Sequence, residues 1–183
     1  KIEELFLPTK FFGYFFRKIV KKACFWAFFF VIIHRIANFA SQKIKNTSMK
    51  EFTFTTTMKT RDYECDVQGV VNNANYQHYL EVARHEFIQS IGESFEGWHN
   101  NGIDVMVSKI VINYKASLRG GEEFICGLNM KRSGVRYVFM QEIYRKSDEK
   151  LCITAEVHCV CVVNGILTRG EEIEDKFMPY LTK

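Results

Sequence analysis

Asp62-Tyr63-Glu64-Cys65-Asp66-Val67-Gln68-Gly69-Val70-Val71-Asn72-Asn73-Ala74-Asn75-Tyr76 compresses an acidic turn, a glycine, an asparagine-rich run and a helix start into one stretch. Beyond it, Tyr76, Tyr79, Leu80, Ala83, Phe87, Ile88 and Ile91 recur at steps of three and four. Gln77, His78, Glu81, Arg84 and Glu86 take the positions between them. That period predicts an amphipathic helix from about Asn75 to Ile91, stopped by Gly92. Asn72, Asn73 and Asn75 are candidate N-caps. Asp66 then sits just ahead of a helix N-terminus, where free N–H groups and the helix dipole favour negative charge. A polarised carbonyl oxygen can share the same donors.

Working outward, Phe52 to Tyr63 is rich in Thr and Phe with partial alternation and reads as a strand. After the helix, Phe95 to Asn101 reads as a short helical turn ending at Gly102. Four strand signals follow. Ile103 to Ser117 sets Met106, Ile110, Ile112 and Tyr114 against Lys109, Asn113 and Lys115. Phe124 to Arg132 carries Phe124, Cys126, Leu128 and Met130 on one face. Val135 to Lys146 is the third, and Leu151 to Val163 the last. In that last strand Ile153, Ala155, Val157, Cys159, Cys161 and Val163 share a face opposite Thr154, Glu156 and His158. Turn signals separate them at Arg119-Gly120-Gly121, Ser133-Gly134, Ser147 to Lys150 and Asn164-Gly165. The acidic run Glu171 to Asp175 and the tail after it are expected to be solvated. One strand, one long helix and four meandering strands make an α+β domain in which a single helix covers a sheet of about five strands.

Asp66-x-x-Gly69-x-Val71, then Tyr76, then Glu81-x-x-Arg84, resembles the hotdog-fold thioesterases, specifically the 4-hydroxybenzoyl-CoA thioesterase-like group of acyl-CoA hydrolases. The resemblance covers roughly residues 51–177. It implies an antiparallel sheet wrapped around one long central helix, and dimers often paired into tetramers with active sites between subunits. It also implies that Asp66 is the catalytic carboxylate. Gly69, Val71 and Tyr76 are the expected substrate-binding positions of the motif. Many relatives carry Tyr or His where this chain has Asn72 and Asn73. That Asn pair is instead similar to the matching stretch of acyl-ACP thioesterases, so the carrier stays open between coenzyme A and acyl carrier protein.

The chemistry suits these residues. A thioester carbonyl needs polarising, and either a water must be activated or a carboxylate must attack directly. Asp66 fits both routes, and the backbone N–H of Asn73 at the helix start is the expected oxyanion donor. Lys131, Arg132 and Arg136 flank the Ser133-Gly134 turn, which in the resembled family lies near the nucleotide end of coenzyme A. Three cations there suit phosphates, although a solvated hairpin tip explains them equally. Glu81 and Arg84, three apart on the helix, are expected to form a structural ion pair. His78, His85 and His158 read as surface residues, and His99 has no partner in sequence. A non-catalytic acyl-binding protein on this fold is the competing class, and Asp66 argues against it. A dehydratase wants a histidine near the helix start, and residues 66–76 contain none.

The chain's 183 residues suit one domain plus an extension. Residues 1–48 hold nine Lys and Arg against two Asp and Glu, a net +7, whereas residues 49–183 hold sixteen against nineteen, a net −3. The basic character therefore belongs to the leader and points to no nucleic acid at residues 49–183. Ala23 to Ile33 is continuously apolar behind Arg17, Lys18, Lys21 and Lys22. Eleven helical residues span only about 16 Å, short of a ~30 Å hydrocarbon core. The leader reads as a targeting or membrane-contacting segment, as an extra packed helix, or, as we favour, as an upstream extension ahead of Met49. The six cysteines lack zinc-site or disulfide spacing. They are expected to be free thiols in a reducing, cytoplasmic compartment. No P-loop, Gly-x-Ser-x-Gly or His-Glu-x-x-His occurs, and no cofactor or metal is expected.

Overall fold

The computed structural model describes residues 50–182, so the readings of the leader lie outside the described residues. Strand β1 (Phe54–Lys59) leads through a 3-10 turn (Asp62–Glu64) and a loop to helix α1 (Asn75–Ser90). The short helix α2 (Phe95–Asn100) follows, and then β2 (Ile103–Tyr114), β3 (Glu123–Ser133), β4 (Arg136–Arg145), β5 (Lys150–Val163) and the two-residue β6 (Ile166–Leu167). The sheet runs β1-β3-β4-β5-β2, with β6 paired to β5. Every ladder between these strands is antiparallel. This is the expected α+β architecture of sheet and central helix.

The sheet and helix meet because their apolar periods match. Tyr76, Tyr79, Leu80, Ala83, Phe87 and Ile88 of α1 are all buried. The first half of that face packs with Phe124, Cys126, Ile143 and Ile153. The second half packs with Leu128, Met130, Phe139 and Val157. Each fully buried Leu, Ile or Phe contributes about 1.5–3 kcal/mol, so this seam anchors everything the helix start carries. Alternation on β3 and β5 places Phe124, Cys126, Leu128, Met130, Val157 and Cys161 at 0% exposure, on the faces that alternation predicts.

Three expectations change. The first strand is shorter than Phe52 to Tyr63, because the chain turns into the 3-10 segment after Lys59. On β2, Met106 is 55% exposed instead of facing the core. A bulge between Val107 and Lys109 leaves Ser108 without a rung and shifts the alternation by one residue. Ile103 and Val105 therefore share the inner face with Ile110 and Ile112. The tail is not solvated. A 3-10 turn (Glu171–Ile173) runs into the one-turn helix α3 (Glu174–Phe177). Ile173 and Phe177, four apart, are buried on one side at 1% and 0% exposure. Phe177 packs its ring against Tyr137 at 4.8 Å and Trp98 at 5.7 Å. Leu181 then bridges to Met130, and the Thr182 N–H donates to the Met130 carbonyl at 2.8 Å. The acidic side chains drew attention away from an apolar pair at helical spacing.

Candidate active site

The loop between the 3-10 turn and α1 folds back on itself. Cys65 bridges Val71, and the Asp66 N–H donates to the Val70 carbonyl at 2.9 Å. The Gly69 N–H donates to the Asp66 carbonyl at 2.9 Å, which closes the turn. Gly69 has φ +72, a left-handed conformation that costs glycine nothing and strains other residues. Asp66 stands at this corner, half-buried. Its Oδ1 accepts the Gln68 N–H at 2.8 Å, and among the described residues its Oδ2 has no protein partner. Val71 is 4% exposed and belongs to the core.

Glu64 ties this loop to the helix. Its Oε2 accepts the Arg61 N–H at 2.6 Å and the Tyr79 hydroxyl at 2.6 Å. Its carbonyl accepts the Asn72 N–H at 2.9 Å and the Asn75 side-chain amide at 2.7 Å. Burial, and then the hydrogen bond to Glu64, push the Tyr79 phenol well above its usual range. Tyr76 is 2% exposed, and its hydroxyl accepts the Leu118 N–H at 3.0 Å. Nothing in the local period singled out Glu64, Asn75 or Tyr79 for this work, because Glu64 meets the other two across eleven and fifteen residues, on the far side of a turn.

The asparagines do not cap the helix as expected. Ala74 stands at the N-cap with no side-chain bond, and Asn72 Oδ1 accepts the Ala74 N–H at 3.0 Å instead. The Asn73 carbonyl accepts the Tyr114 hydroxyl at 3.0 Å. Among the described residues the Asn73 N–H has no acceptor. The Asn72 carbonyl, in the same peptide group as that N–H, accepts the Asn75 N–H at 3.0 Å. A hydrogen bond on that oxygen polarises the amide and sharpens its donor.

The other expected residues scatter. Lys131 Nζ lies 3.5 Å from Glu156, and Arg136 is exposed. Arg132 is committed elsewhere: its guanidinium donates to the Tyr137 hydroxyl and the Arg169 carbonyl, and stands 3.4 Å from Glu174. These are the groups that hold the tail. The Glu81–Arg84 ion pair is absent. Arg84 is 6% exposed, donates to Gln141 Oε1 at 3.0 Å, and has no carboxylate within 4.0 Å among the described residues. Its guanidinium turns inward to Gln141, whereas Glu81 stays exposed. His158 Nε2 sits 3.4 Å from Glu156, and His99 Nδ1 2.7 Å from Asp104. Burial pushes the Cys126 thiol up to about 12 and the Cys159 thiol up to about 11, so neither is a thiolate nucleophile near neutral pH.

Residues 60–179 match the model of the thioesterase-like superfamily. Over 127 residues the chain is 32% identical to the acyl-acyl carrier protein thioesterase ATL3, chloroplastic, of Arabidopsis thaliana, covering 68% of this chain and 67% of that protein. It is 30% identical to the putative acyl-CoA thioesterase YneP of Bacillus subtilis, over 57% of this chain and 76% of that one. The solved structure of a DHNA-CoA thioesterase from Staphylococcus aureus superposes with a TM-score of 0.63 and 26% identity, covering 69% of this chain and 86% of that one. Sheet, helix and matched segment coincide, and the chain belongs to the thioesterase-like superfamily as a thioester-hydrolase domain on the hotdog fold.

Proposed function

We propose that the protein hydrolyses the thioester of an acyl-CoA to the free acid and coenzyme A, with Asp66 as the catalytic carboxylate. The observation that carries this reading is a pair of unspent groups on one tied loop: the Asp66 Oδ2 and the Asn73 N–H, neither with a protein partner among the described residues. The thioester oxygen takes the Asn73 N–H, where the helix dipole and the polarised amide stabilise developing negative charge. Asp66 then either removes a proton from the attacking water, or attacks the carbonyl itself to form an anhydride that water opens to the free acid; in both routes the thiolate leaves. Gly69 keeps the corner tight, while Val71 and Tyr76, expected to touch substrate, are buried and brace the loop and the helix start from the core side. The test is hydrolysis of acyl-CoA by purified Asp66→Asn protein whose melting matches the parent: an undiminished rate ends the assignment.

A second carrier has its own support. The Asn72-Asn73 pair and the acyl-ACP thioesterase relative favour acyl carrier protein. One acyl group presented on both carriers, with kcat/KM compared, separates the two. For coenzyme A, Arg136 is exposed and Lys131 has only a 3.5 Å contact with Glu156 to give up, so these two are the cations to meet phosphate, since Arg132 is held by the tail. The working unit is a homodimer or a pair of dimers. Strand β2 lies at the end of the sheet with Met106, Val107, Val111 and Tyr114 exposed, and an apolar edge of this kind pairs with a second copy. Cytoplasmic residence fits the free state of Cys65, Cys126, Cys152, Cys159 and Cys161. No helix among the described residues is long and apolar enough to cross a membrane.

A further inference from the structure

One turn and more beyond the helix start, a cleft of about 480 Å³ opens between α1, α2, β2 and β5. Its floor includes Arg84, Cys159 and Val105, its mouth Glu81 and Glu96, and it borders Met106 and Val107 of the edge proposed to pair with a second copy. Arg84 is the anomaly. It is 6% exposed, yet among the described residues its only hydrogen-bond partner is the neutral oxygen of Gln141. A guanidinium carries five donors, and the remaining nitrogens are not sealed inside protein, since none of them is among the fully buried side-chain atoms left without a partner. They face the cleft. Burial also pulls the Arg84 guanidinium below its usual value.

We propose that this cleft receives the distal part of the acyl group and that Arg84 selects acyl groups bearing a neutral oxygen there, a hydroxyl or a ketone, over plain hydrocarbon chains. The inference rests on the thioesterase reading above. An apolar chain pushed over Arg84 expels the water that serves its free donors and replaces it with nothing. A buried charged donor without an acceptor costs on the order of tenfold in affinity or more. A hydroxyl or keto oxygen restores the bond. A carboxylate is disfavoured by the exposed Glu81 and Glu96 at the mouth, where Asp104 is already paired with His99. Along the helix the distances suit a chain held by its thioester at one end. Arg84 lies nine residues after Asn75, the first residue of α1, a rise of about 14 Å, and its side chain leans back toward the helix start.

The test walks one hydroxyl along an acyl-CoA of fixed length and compares kcat/KM with the unsubstituted chain and with the matching ω-carboxyl chain. The expected result is a gain of about tenfold or more at one narrow window of positions, with the ω-carboxyl chain below it. Arg84→Met should erase that gain and favour the plain chain, and Arg84→Lys should keep part of it. A wild-type protein that prefers the plain chain at every position overturns the proposal, and so does one that prefers the carboxylate. A hydroxyl preference surviving in Arg84→Met overturns the role of Arg84, as does an Arg84→Met protein that loses only its self-association. If Arg84→Met does not fold, the wild-type series and Arg84→Lys still decide. If no thioester in the series is hydrolysed, the thioesterase reading fails instead. Calorimetric binding of the matching non-hydrolysable thioethers then ranks the same chains and tests the cleft alone.

Discussion

Asp66 and Asn73 contribute different atoms, and single substitutions tell them apart. Asp66→Asn keeps size and the hydrogen bond from Gln68 but removes charge and basicity. The expected outcome is a fall in kcat of about 10² to 10⁴ with KM nearly unchanged, the usual range for losing a general base, measured by thiol release from acyl-CoA. For Asn73 the acting group is the backbone N–H. Asn73→Ala should stay within a few-fold of the parent, whereas Asn73→Pro deletes the donor and should cost at least ~10² in kcat. Equal effects of Ala and Pro would show that the side chain matters instead. At the hairpin tip, Lys131→Ala with Arg136→Ala should raise KM for acyl-CoA and leave kcat alone, because the nucleotide is bound equally in ground and transition states. An acyl-pantetheine lacking the nucleotide should not respond.

At the scale of elements, α1 and the last segment of the chain hold the site from opposite ends of the helix. The start of α1 is fixed by Glu64 and Tyr79, and its far half packs against the cluster that Phe177 and Ile173 complete. Phe177→Ala opens a cavity among Tyr137, Trp98 and Phe139, and should cost about 3–5 kcal/mol of stability, read by thermal or denaturant melting. Glu171→Gln, on the exposed side of the same turn, should change stability by less than ~0.5 kcal/mol. A tail that were merely solvated would give small effects at both positions.

At the scale of the whole molecule, the exposed sheet edge predicts assembly. The twelve-residue β2 pairs with β5 on one side, and its outer edge has no neighbour among the described residues and carries apolar side chains in the open. We expect sedimentation at micromolar concentration to give at least twice the 21.5 kDa of one chain. Val107→Lys together with Val111→Lys should shift the protein toward monomer by placing charge on the pairing edge. A parent protein that sediments as one chain contradicts the proposal. A chain beginning at Met49 should fold and retain full activity, since residues 50–182 contain the sheet, the helix and both core clusters.

The sequence by itself determined the layout: one long helix, strands alternating at period two, turns at glycine and asparagine, and the Asp66 loop ahead of the helix. Those features are local, and each is written as a spacing of residue types within a window of about fifteen positions. What only the tertiary structure decided depends on contacts between distant residues. The bulge at Ser108 turns Met106 outward, and no window around it reveals that β5 pairs across it. Arg84 finds Gln141, fifty-seven residues away, instead of Glu81 three residues before it. Arg132 is spent on a tail that begins more than thirty residues later. Glu64 reaches Asn75 and Tyr79 only because the loop folds back. Side-chain period reports which face is buried; it carries no information on which buried partner stands opposite, and in this protein those partners set the charge and the open donors of the site.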